Sequence, residues 1–343
     1  MLYNVPIESL DERYSSQWNQ WFPKEFDRLG VPFSTIYPMP IRNKISRGEF
    51  LDVVGTNIFK SQQIQQLLFL IDEGKVKDND VIFFHDIWFP GLEALFYVRD
   101  GLKLKFKIAG CLHAGTYDDW DFVTRCGMGR WGADMETAWF SEVDLIFVAT
   151  FFHRQKLLHV RDRVPPNKVH RTGFPLEPPP ILTDITKENL IVFPHRLTPD
   201  KAPQEFDALI SQVIPRLPGW AALKTQEHTL SKLEYYRVLA RSKIAVSTAY
   251  HEFWGIAQQE AMFLGCVPVV PDRLSYRELY PISFKYGNLK EAADRIVWAA
   301  KNHDGIVHSS AFKDTVAALQ SDNAAAIGRM IGHMRVRDWN VVS

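Results

Sequence analysis

The sequence has few cysteines and no excess of either charge. Its 343 residues include three cysteines, Cys111, Cys126 and Cys266, none of them at CxxC spacing. A small and odd number of cysteines in a long chain argues against a disulfide framework and favours a reducing compartment. Lys and Arg together number 40, as do Asp and Glu, so the formal net charge is zero. The strongly basic composition of a dedicated nucleic-acid binder is therefore missing, and only a local patch could serve that purpose.

Long apolar runs are also missing. No stretch approaches the roughly 18 consecutive apolar residues that a membrane-spanning helix needs. Charged residues occur early in the chain, in MLYNVPIESLDERYSS, so we expect no signal peptide and a soluble cytoplasmic protein. Hydrophobic residues nevertheless make up 46% of the chain. This length and composition exceed one ordinary core and predict two domains of roughly 150 residues each.

Apolar runs of strand length alternate with helix-like segments on both sides of a proline-rich stretch at 170–189. Strands are predicted at 80–88, 106–114 and 143–150, and again at 189–196, 243–249 and 267–271. Helices are predicted at 59–74 and 91–101, and again at 204–217, 230–242, 255–265 and 288–303. This alternation predicts parallel sheets with helices on both faces.

The predicted fold is therefore α/β, with two doubly wound, Rossmann-like domains. A ligand cleft is expected between them, at the carboxyl ends of the strands. The N-terminal domain is placed at 1–175, a linker at 176–188 and the C-terminal domain at 189–325. The last segment, 326–343, is predicted to form a helix that packs back on the N-terminal domain.

The stretch STAYHEFWGIAQQEAMFLGCVPVVP, at 247–271, holds two glutamates, Glu252 and Glu260, on either side of a glycine. Glu252 follows a predicted strand, and Glu260 lies within the predicted helix that comes next. The N–H groups of Phe253 to Ala257 would form the start of that helix, which is a ready anion site. A phosphate there, beside carboxylates that accept from sugar and ribose hydroxyls, indicates a nucleotide-sugar site. The plain alternative is a charge at a helix N-terminus and a solvated helix residue.

This stretch resembles the E-x7-E signature of retaining glycosyltransferases of the GT-B fold and the GT4-like kind, with its EAM..G.PVV continuation. Arg196 and Lys201 lie five apart after a predicted strand, as that family's pattern asks, and HRTGFPL at 170–176 resembles its interdomain turn. The resemblance implies transfer of a hexose or pentose, with retention, from a UDP- or GDP-linked sugar by front-face displacement, without a cofactor. Locally, STAYHEFWGIAQQEA resembles the queuosine-tRNA glycosyltransferases.

In the reading that the resemblance implies, Arg196 and Lys201 neutralise the leaving diphosphate, so that no divalent metal is needed. Taken alone, the two cations could equally be surface charges around a turn. The family's glycines before the arginine and after the lysine are His195 and Ala202 here. The predicted donor-binding residues are Arg196, Lys201, Glu252, Phe253, Trp254, Gly255, Ile256, Ala257 and Glu260.

His113 ends a predicted strand, near where similar enzymes often carry a histidine, and it joins Arg196, Lys201 and Glu252 as a predicted catalytic residue. Its ring or adjacent backbone would face the anomeric carbon, with His85 as a rival; a structural histidine is the alternative. The acidic cluster DDWD at 118–121 could suggest a metal instead. The predicted acceptor-side residues are Glu8, Asp11, Arg13, Tyr14, His85 and Asp118.

The acceptor is predicted from a weaker set of features. The segment 153–171 has six Lys and Arg residues against one Asp, which suggests contact with a phosphate backbone, although a solvated helix would look the same. Together with the queuosine-like stretch, it favours a hydroxyl on a modified base in DNA or tRNA as the acceptor. The alternatives are a cell-surface polysaccharide or lipid acceptor, and a binding module that keeps a nucleotide-sugar pocket without catalysis.

Overall fold

The computed structural model describes residues 1–8, 14–38, 52–228 and 230–334, and the chain divides into two compact units. The first unit takes in residues 1–149 and 153–175, together with the chain from Ala325 onward. The second takes in residues 150–152 and 176–324. Each unit has its own parallel sheet.

The first unit is built on six parallel strands in the order β2-β1-β3-β4-β5-β6. Every residue of β1 and β3 is buried, as expected for parallel strands that are covered by helices on both faces. These strands are β1 (Leu2–Val5), β2 (Phe33–Thr35), β3 (Val81–Phe84), β4 (Lys107–Cys111), β5 (Leu145–Val148) and β6 (Val169–Arg171).

Helices with one apolar face cover this sheet. On the first helix Trp18, Phe22 and Phe26 recur at every fourth position and are fully buried, so the tryptophan-rich stretch serves packing. The second helix is capped by Asp52, which accepts a 2.9 Å hydrogen bond from the N–H of Gly55. The helices are α1 (Tyr14–Arg28), α2 (Val53–Asp72), α3 (Leu92–Gly101), α4 (Gly129–Glu142) and α5 (Phe151–Val160).

The second unit is built on five parallel strands in the order β11-β10-β9-β7-β8. The strands are β7 (Glu188–Phe193), β8 (Ala221–Lys224), β9 (Ser242–Val246), β10 (Val267–Pro271) and β11 (Lys285–Tyr286). The helices are α6 (Pro203–Val213), α7 (Lys232–Arg241), α8 (Ile256–Phe263), α9 (Tyr276–Leu279), α10 (Leu289–His308) and α11 (Ser310–Ala324).

The helix α8 is bounded by two glycines with left-handed backbones. Gly255 precedes it at φ 74° and Gly265 follows it at φ 82°, a conformation that costs glycine little. At the end of the helix the N–H of Gly265 donates to the carbonyl of Met262, and the N–H of Cys266 donates to that of Ala261. This pair of bonds is a Schellman motif, which ends the helix at a glycine.

The last described helix, α12 (Ala326–Met334), belongs to the first unit. It buries Met330, whose sulfur lies 3.9 Å from that of Cys111. The guanidinium Nε of Arg329 donates a 2.7 Å hydrogen bond to the carbonyl of Thr172.

The predicted architecture of two doubly wound parallel α/β domains is confirmed. The differences concern lengths: α2 starts at Val53 rather than at 59, and α10 continues to His308. The short strands β2, β6, β8 and β11 and the helices α4, α9 and α11 were not predicted. None of the helices in the described ranges is long and apolar enough to span a membrane.

Candidate active site

The predicted donor residues lie at the carboxyl edge of the second sheet. Arg196 follows β7, and Glu252 follows β9, which pairs with β7 in parallel. Because the carboxyl ends of parallel strands share one edge, the two loops become neighbours, and this is the edge where open α/β sheets bind ligands. The amide oxygen of Gln226, after β8, accepts from the N–H of Leu197 and joins a third loop to the same place.

Lys201 connects two of these loops. It ends the short 3-10 turn Pro199–Lys201, and only 8% of its side chain is exposed. Its ammonium lies 3.3 Å from Oε2 of Glu252 and also donates to the carbonyl of His251. The fold therefore brings together Lys201 and Glu252, which are 51 positions apart in the sequence. A ligand site that uses both residues requires this proximity.

Asp200 is a member of this cluster that sequence reasoning missed. Its carboxylate is almost fully buried, and Oδ2 lies 3.5 Å from both Arg196 Nη2 and Lys201 Nζ. Although burial alone would raise the pKa of Asp200, the two cations hold it below its usual value. The signal in the sequence was an acidic residue directly before the lysine, which alone does not distinguish a buried partner from a surface charge.

Glu252 is held in its charged form by its neighbours. Burial would raise the pKa of Glu252, but the Lys201 ammonium and the N–H of Gly255 outweigh it and hold the value at about 2. Its Oε1 accepts from the N–H groups of Trp254, at 3.3 Å, and Gly255, at 2.8 Å. This corrects the predicted anion site: two of its five N–H donors already serve Glu252. The helix α8 begins at Ile256, where the first N–H groups of a helix have no partner within it.

Glu260, one turn into α8, is 2% exposed. Its Oε1 accepts from the ammonium of Lys232 at 2.7 Å and from the hydroxyl of Tyr236 at 3.0 Å. The reading as a solvated helix residue is therefore wrong. Glu260 is a buried carboxylate with two polar partners on one oxygen.

His195, which replaces a glycine of the family pattern, is 4% exposed and lies 3.3 Å from the side-chain nitrogen of Gln258. Burial, together with the Lys201 ammonium, lowers the pKa of His195 to about 3. The imidazole is thus neutral at physiological pH and adds no charge beside the two cations. The departure from glycine marked the position, but its partner on α8 could not be read from the sequence.

In the first unit the structure distinguishes the two candidate histidines. His85 is fully buried, its Nε2 lies 2.8 Å from Oδ1 of Asn4, and burial lowers its pKa to about 3. His113 is partly exposed, and its Nε2 lies 2.8 Å from the carbonyl of His85. A carbonyl only accepts, so His113 carries its proton on Nε2 and keeps Nδ1 as the acceptor. Of these two histidines, only His113 is partly exposed.

The other predicted acceptor-side residues have structural contacts or lie outside the described residues. Glu8 is buried and accepts a 2.8 Å hydrogen bond from the hydroxyl of Thr56. Asp118 is 4% exposed, and its Oδ1 accepts from the N–H of Trp120. Asp11 and Arg13 lie outside the described residues. The backbone of Tyr14 begins α1, and its side chain also lies outside the described part.

The acidic cluster at 118–121 supplies local turn contacts: like Asp118, Asp121 accepts from a nearby N–H, that of Val123. Within the described ranges, no group of three or more His, Cys, Asp and Glu side chains is arranged to hold a metal ion.

The basic segment 153–171 does not present its cations as one face, and the predicted surface needs correction. Arg161 is buried and pairs at 2.9 Å with Glu136, which is fully buried. Arg154 donates to the carbonyls of Val169 and Pro166, and Lys168 donates to that of Ser141. At least three of the six cations of this segment therefore have partners within the fold.

Comparison with known proteins includes a sequence relative that matches over a limited length. No protein-family model matches the chain. The tRNA-queuosine alpha-mannosyltransferase of Drosophila melanogaster is 37% identical over 79 residues, which are 23% of this chain and 19% of that protein. The match thus spans about a fifth of the relative's length.

Solved structures resemble the chain over most of its length. Sucrose-phosphate synthase from Thermosynechococcus elongatus has a TM-score of 0.68 at 11% identity, over 97% of both chains. A UDP-forming alpha,alpha-trehalose-phosphate synthase from Burkholderia vietnamiensis has 0.64 at 11%, over 97% of this chain and 98% of that one. A mutant of S. aureus TarM has 0.57 at 9%, over 80% of this chain and 59% of that one. At these identities the likeness concerns the fold, which is that of the GT-B glycosyltransferases, as the resemblance predicted.

Proposed function

We propose that this protein is a retaining glycosyltransferase that moves a sugar from a nucleotide-sugar donor to a hydroxyl acceptor. One observation carries the proposal: Arg196, Lys201 and Glu252, which the family pattern requires, meet at the carboxyl edge of one parallel sheet in a GT-B fold. A packing role would not need two cations and two carboxylates at the edge where this fold binds ligands.

The cations act on the leaving group. Breaking the bond between sugar and diphosphate builds negative charge on the diphosphate, and Arg196 and Lys201 stabilise that charge more in the transition state than in the ground state. The N–H groups at the start of α8, from Ile256 onward, add the positive end of a helix. With these groups in place the reaction has no need of a divalent metal.

The two glutamates and His113 hold the sugar and the ribose. Glu252, charged at physiological pH because its pKa is about 2, accepts from sugar hydroxyls. Glu260 accepts from the ribose. As part of this proposal, His113 keeps its predicted role, in which its ring or adjacent backbone faces the anomeric carbon. Transfer proceeds on one face of the sugar, and the leaving phosphate oxygen takes the proton of the acceptor hydroxyl, so that configuration is retained.

The donor we favour is UDP- or GDP-linked. The trehalose-phosphate synthase with a similar fold is UDP-forming, and the TarM mutant was solved in complex with UDP. Both facts support a nucleoside diphosphate as the product here.

For the acceptor we favour a hydroxyl on a modified base of tRNA or DNA in the cytoplasm. The specific support is the 79-residue match to a tRNA-queuosine alpha-mannosyltransferase. A glycan or lipid acceptor is the alternative, since the structure of the TarM mutant also contains alpha-GlcNAc-glycerol. A module that binds the nucleotide-sugar without catalysis is the third reading.

The test is a donor-turnover assay followed by nucleoside mass spectrometry. The protein is incubated with UDP- and GDP-linked hexoses and pentoses, with and without EDTA, and nucleoside diphosphate release is measured against a Glu252→Gln control. Bulk tRNA and DNA are then digested, and their nucleosides are searched for a sugar mass increment. Release without any nucleoside increment would favour the glycan acceptor. Binding without release would favour the non-catalytic module.

A further inference from the structure

Lys232 occupies an unusual place for a lysine. It is the first residue of α7, where Ser231 and Glu234 form a capping box: the Ser231 hydroxyl accepts from the N–H of Glu234, and the Glu234 carboxylate accepts from the N–H of Ser231 at 2.7 Å. The capping box fixes the first residue of the helix and therefore the position of Lys232. A cation at this positive end of a helix is electrostatically unfavourable, so something else must favour it here.

What favours it is the buried carboxylate of Glu260. The Lys232 ammonium lies 2.7 Å from Oε1 of Glu260 and within 5 Å of the ring centres of Tyr235 and Tyr236, at 4.9 and 4.7 Å. The Tyr236 hydroxyl donates to the same Oε1 at 3.0 Å. Only 3% of the Glu260 side chain is exposed, and a carboxylate so buried requires a counter-charge. Lys232 provides it.

The Lys232 and Tyr236 hydrogen bonds converge on one oxygen of Glu260, and Tyr235 is a further hydrogen-bonding neighbour of the same carboxylate. Both the Lys232 and the Tyr236 hydrogen bonds end on Oε1, which fixes the plane of the carboxylate from one side. A vicinal diol is bound most selectively by an acceptor whose orientation is already fixed, because a freely rotating carboxylate would lose that freedom on binding.

Resting on the proposed donor site, we infer that Lys232 is a positioning residue for the ribose of the nucleotide. It pairs with Glu260 and fixes the orientation of the carboxylate, which then accepts from the ribose hydroxyls. Discrimination between ribo- and deoxyribonucleotides then depends on Lys232, a residue that need not touch the ligand.

The experiment measures dissociation constants of UDP and GDP and of their 2′-deoxy and 3′-deoxy counterparts by calorimetry. We expect the wild type to bind its preferred ribonucleotide at least about 10-fold more tightly than a deoxy form, since a site built to bond a hydroxyl leaves a buried group unpaired without it. Lys232→Met should reduce that ratio to within about 3-fold while leaving the affinity for the deoxy form unchanged within about 2-fold. Lys232→Arg keeps a cation at this position and should therefore retain most of the wild-type ratio of ribo to deoxy affinity.

Two variants separate positioning from general stability. Arg216→Met removes a cation that pairs with Asp294 on the same unit, and should leave the ratio unchanged. Glu260→Gln should reduce the ratio of ribo to deoxy affinity as Lys232→Met does, and the double variant should reduce it no further. If Lys232→Met fails to fold, the test rests on Glu260→Gln and Lys232→Arg.

The inference is overturned if Lys232→Met weakens the ribo and deoxy forms equally, if the ratio is unaffected, or if the wild type shows no ribose preference. Failure of the wild type to bind either UDP or GDP would instead contradict the proposed function. The two failures are therefore distinguishable.

Discussion

The ammonium of Lys201 lies 3.3 Å from Oε2 of Glu252. Asp200 and Arg196 complete the cluster, with Asp200 Oδ2 3.5 Å from each cation. Two positive and two negative side chains thus leave this place with no formal excess charge. Under the proposed function, affinity for a diphosphate would come from the positions of the two cations and from the N-terminus of α8, rather than from net charge.

Removing either cation should impair the reaction. We expect Arg196→Ala and Lys201→Ala each to lower kcat/KM for donor turnover by about 100-fold or more, because each removes a charge-assisted contact to the leaving group. The measurement is steady-state release of nucleoside diphosphate. Arg216→Ala, which breaks a pair with Asp294 elsewhere on the same unit, is the matched control and should stay near wild type. Normal kinetics in both test variants would exclude the assigned roles.

Asp200→Asn should separate binding from turnover. The substitution keeps the shape of the side chain and removes one negative charge beside the two cations, so affinity for a nucleoside diphosphate should be unchanged or higher. Turnover should fall by about 10-fold, because Arg196 and Lys201 lose the group that fixes them. Calorimetry and initial rates on the same preparation give both values. Weaker binding at an unchanged melting temperature would contradict this role.

Buried neutral histidines should make the protein sensitive to acid. The pKa values of His85 and His195 are lowered to about 3, whereas an unfolded histidine titrates near 6.5. Below about pH 6.5 the unfolded chain takes up protons that the folded chain refuses, so stability falls as the pH drops toward 3. At pH 4.5 each of these two histidines should lower the free energy of unfolding by about 2 to 3 kcal/mol relative to neutral pH.

Urea denaturation between pH 7.5 and 4.5 tests this. His85→Gln should lower stability at neutral pH yet flatten its dependence on pH, whereas His228→Gln, at an exposed position, should leave the dependence as in the wild type. An equal slope in the wild type and in His85→Gln would show that His85 titrates normally in the folded protein.

The parts of this molecule that were predictable from sequence are those with a local signal. The alternation of apolar runs predicted both sheets, and β10 occupies the predicted 267–271. Glu252 followed by Gly255 predicted the loop-to-helix turn. Such patterns can be recognised from neighbouring residues, because the apolar run of a strand and the residues that end a helix are close together in the sequence.

The contacts that were missed join residues distant in sequence. Lys232 and Glu260 are 28 positions apart, and Arg161 and Glu136 are 25 apart. Whether a charged residue meets a partner inside the fold depends on how helices pack, and no periodicity encodes it. For the same reason the segment 153–171 looked like a basic surface, although Arg161 is buried.

Arg161 should matter for stability. Its guanidinium donates to Glu136 Oε2 through Nε, at 3.1 Å, and through Nη2, at 2.9 Å, and the Thr116 hydroxyl joins the same group. Arg161→Met leaves the Glu136 carboxylate buried without its cation and should cost about 3 to 5 kcal/mol. Arg163→Met, at an exposed position two residues away, should change stability by less than about 0.5 kcal/mol. Chemical denaturation at pH 7 compares the two; a near-neutral Arg161→Met would contradict the structural role.

The nucleic-acid acceptor can be tested without disturbing the fold. Charge reversal at Arg161 would unfold the site it supports, so the usable cations of the segment 153–171 are Lys156 and the exposed Arg163. If these two contact phosphates, each releases counterions on binding, and the double variant Lys156→Glu/Arg163→Glu should reduce the log–log salt slope of tRNA binding by about 2. It should also weaken binding at low salt while donor hydrolysis continues at the wild-type rate, because Arg196, Lys201 and Glu252 are untouched. Lys103→Glu/Lys105→Glu, which reverses two cations in another loop of the first unit, is the control for a general charge effect. If the test and control variants bind tRNA and DNA alike, or if the wild type binds neither at low salt, the polynucleotide acceptor is wrong and a glycan or lipid acceptor takes its place.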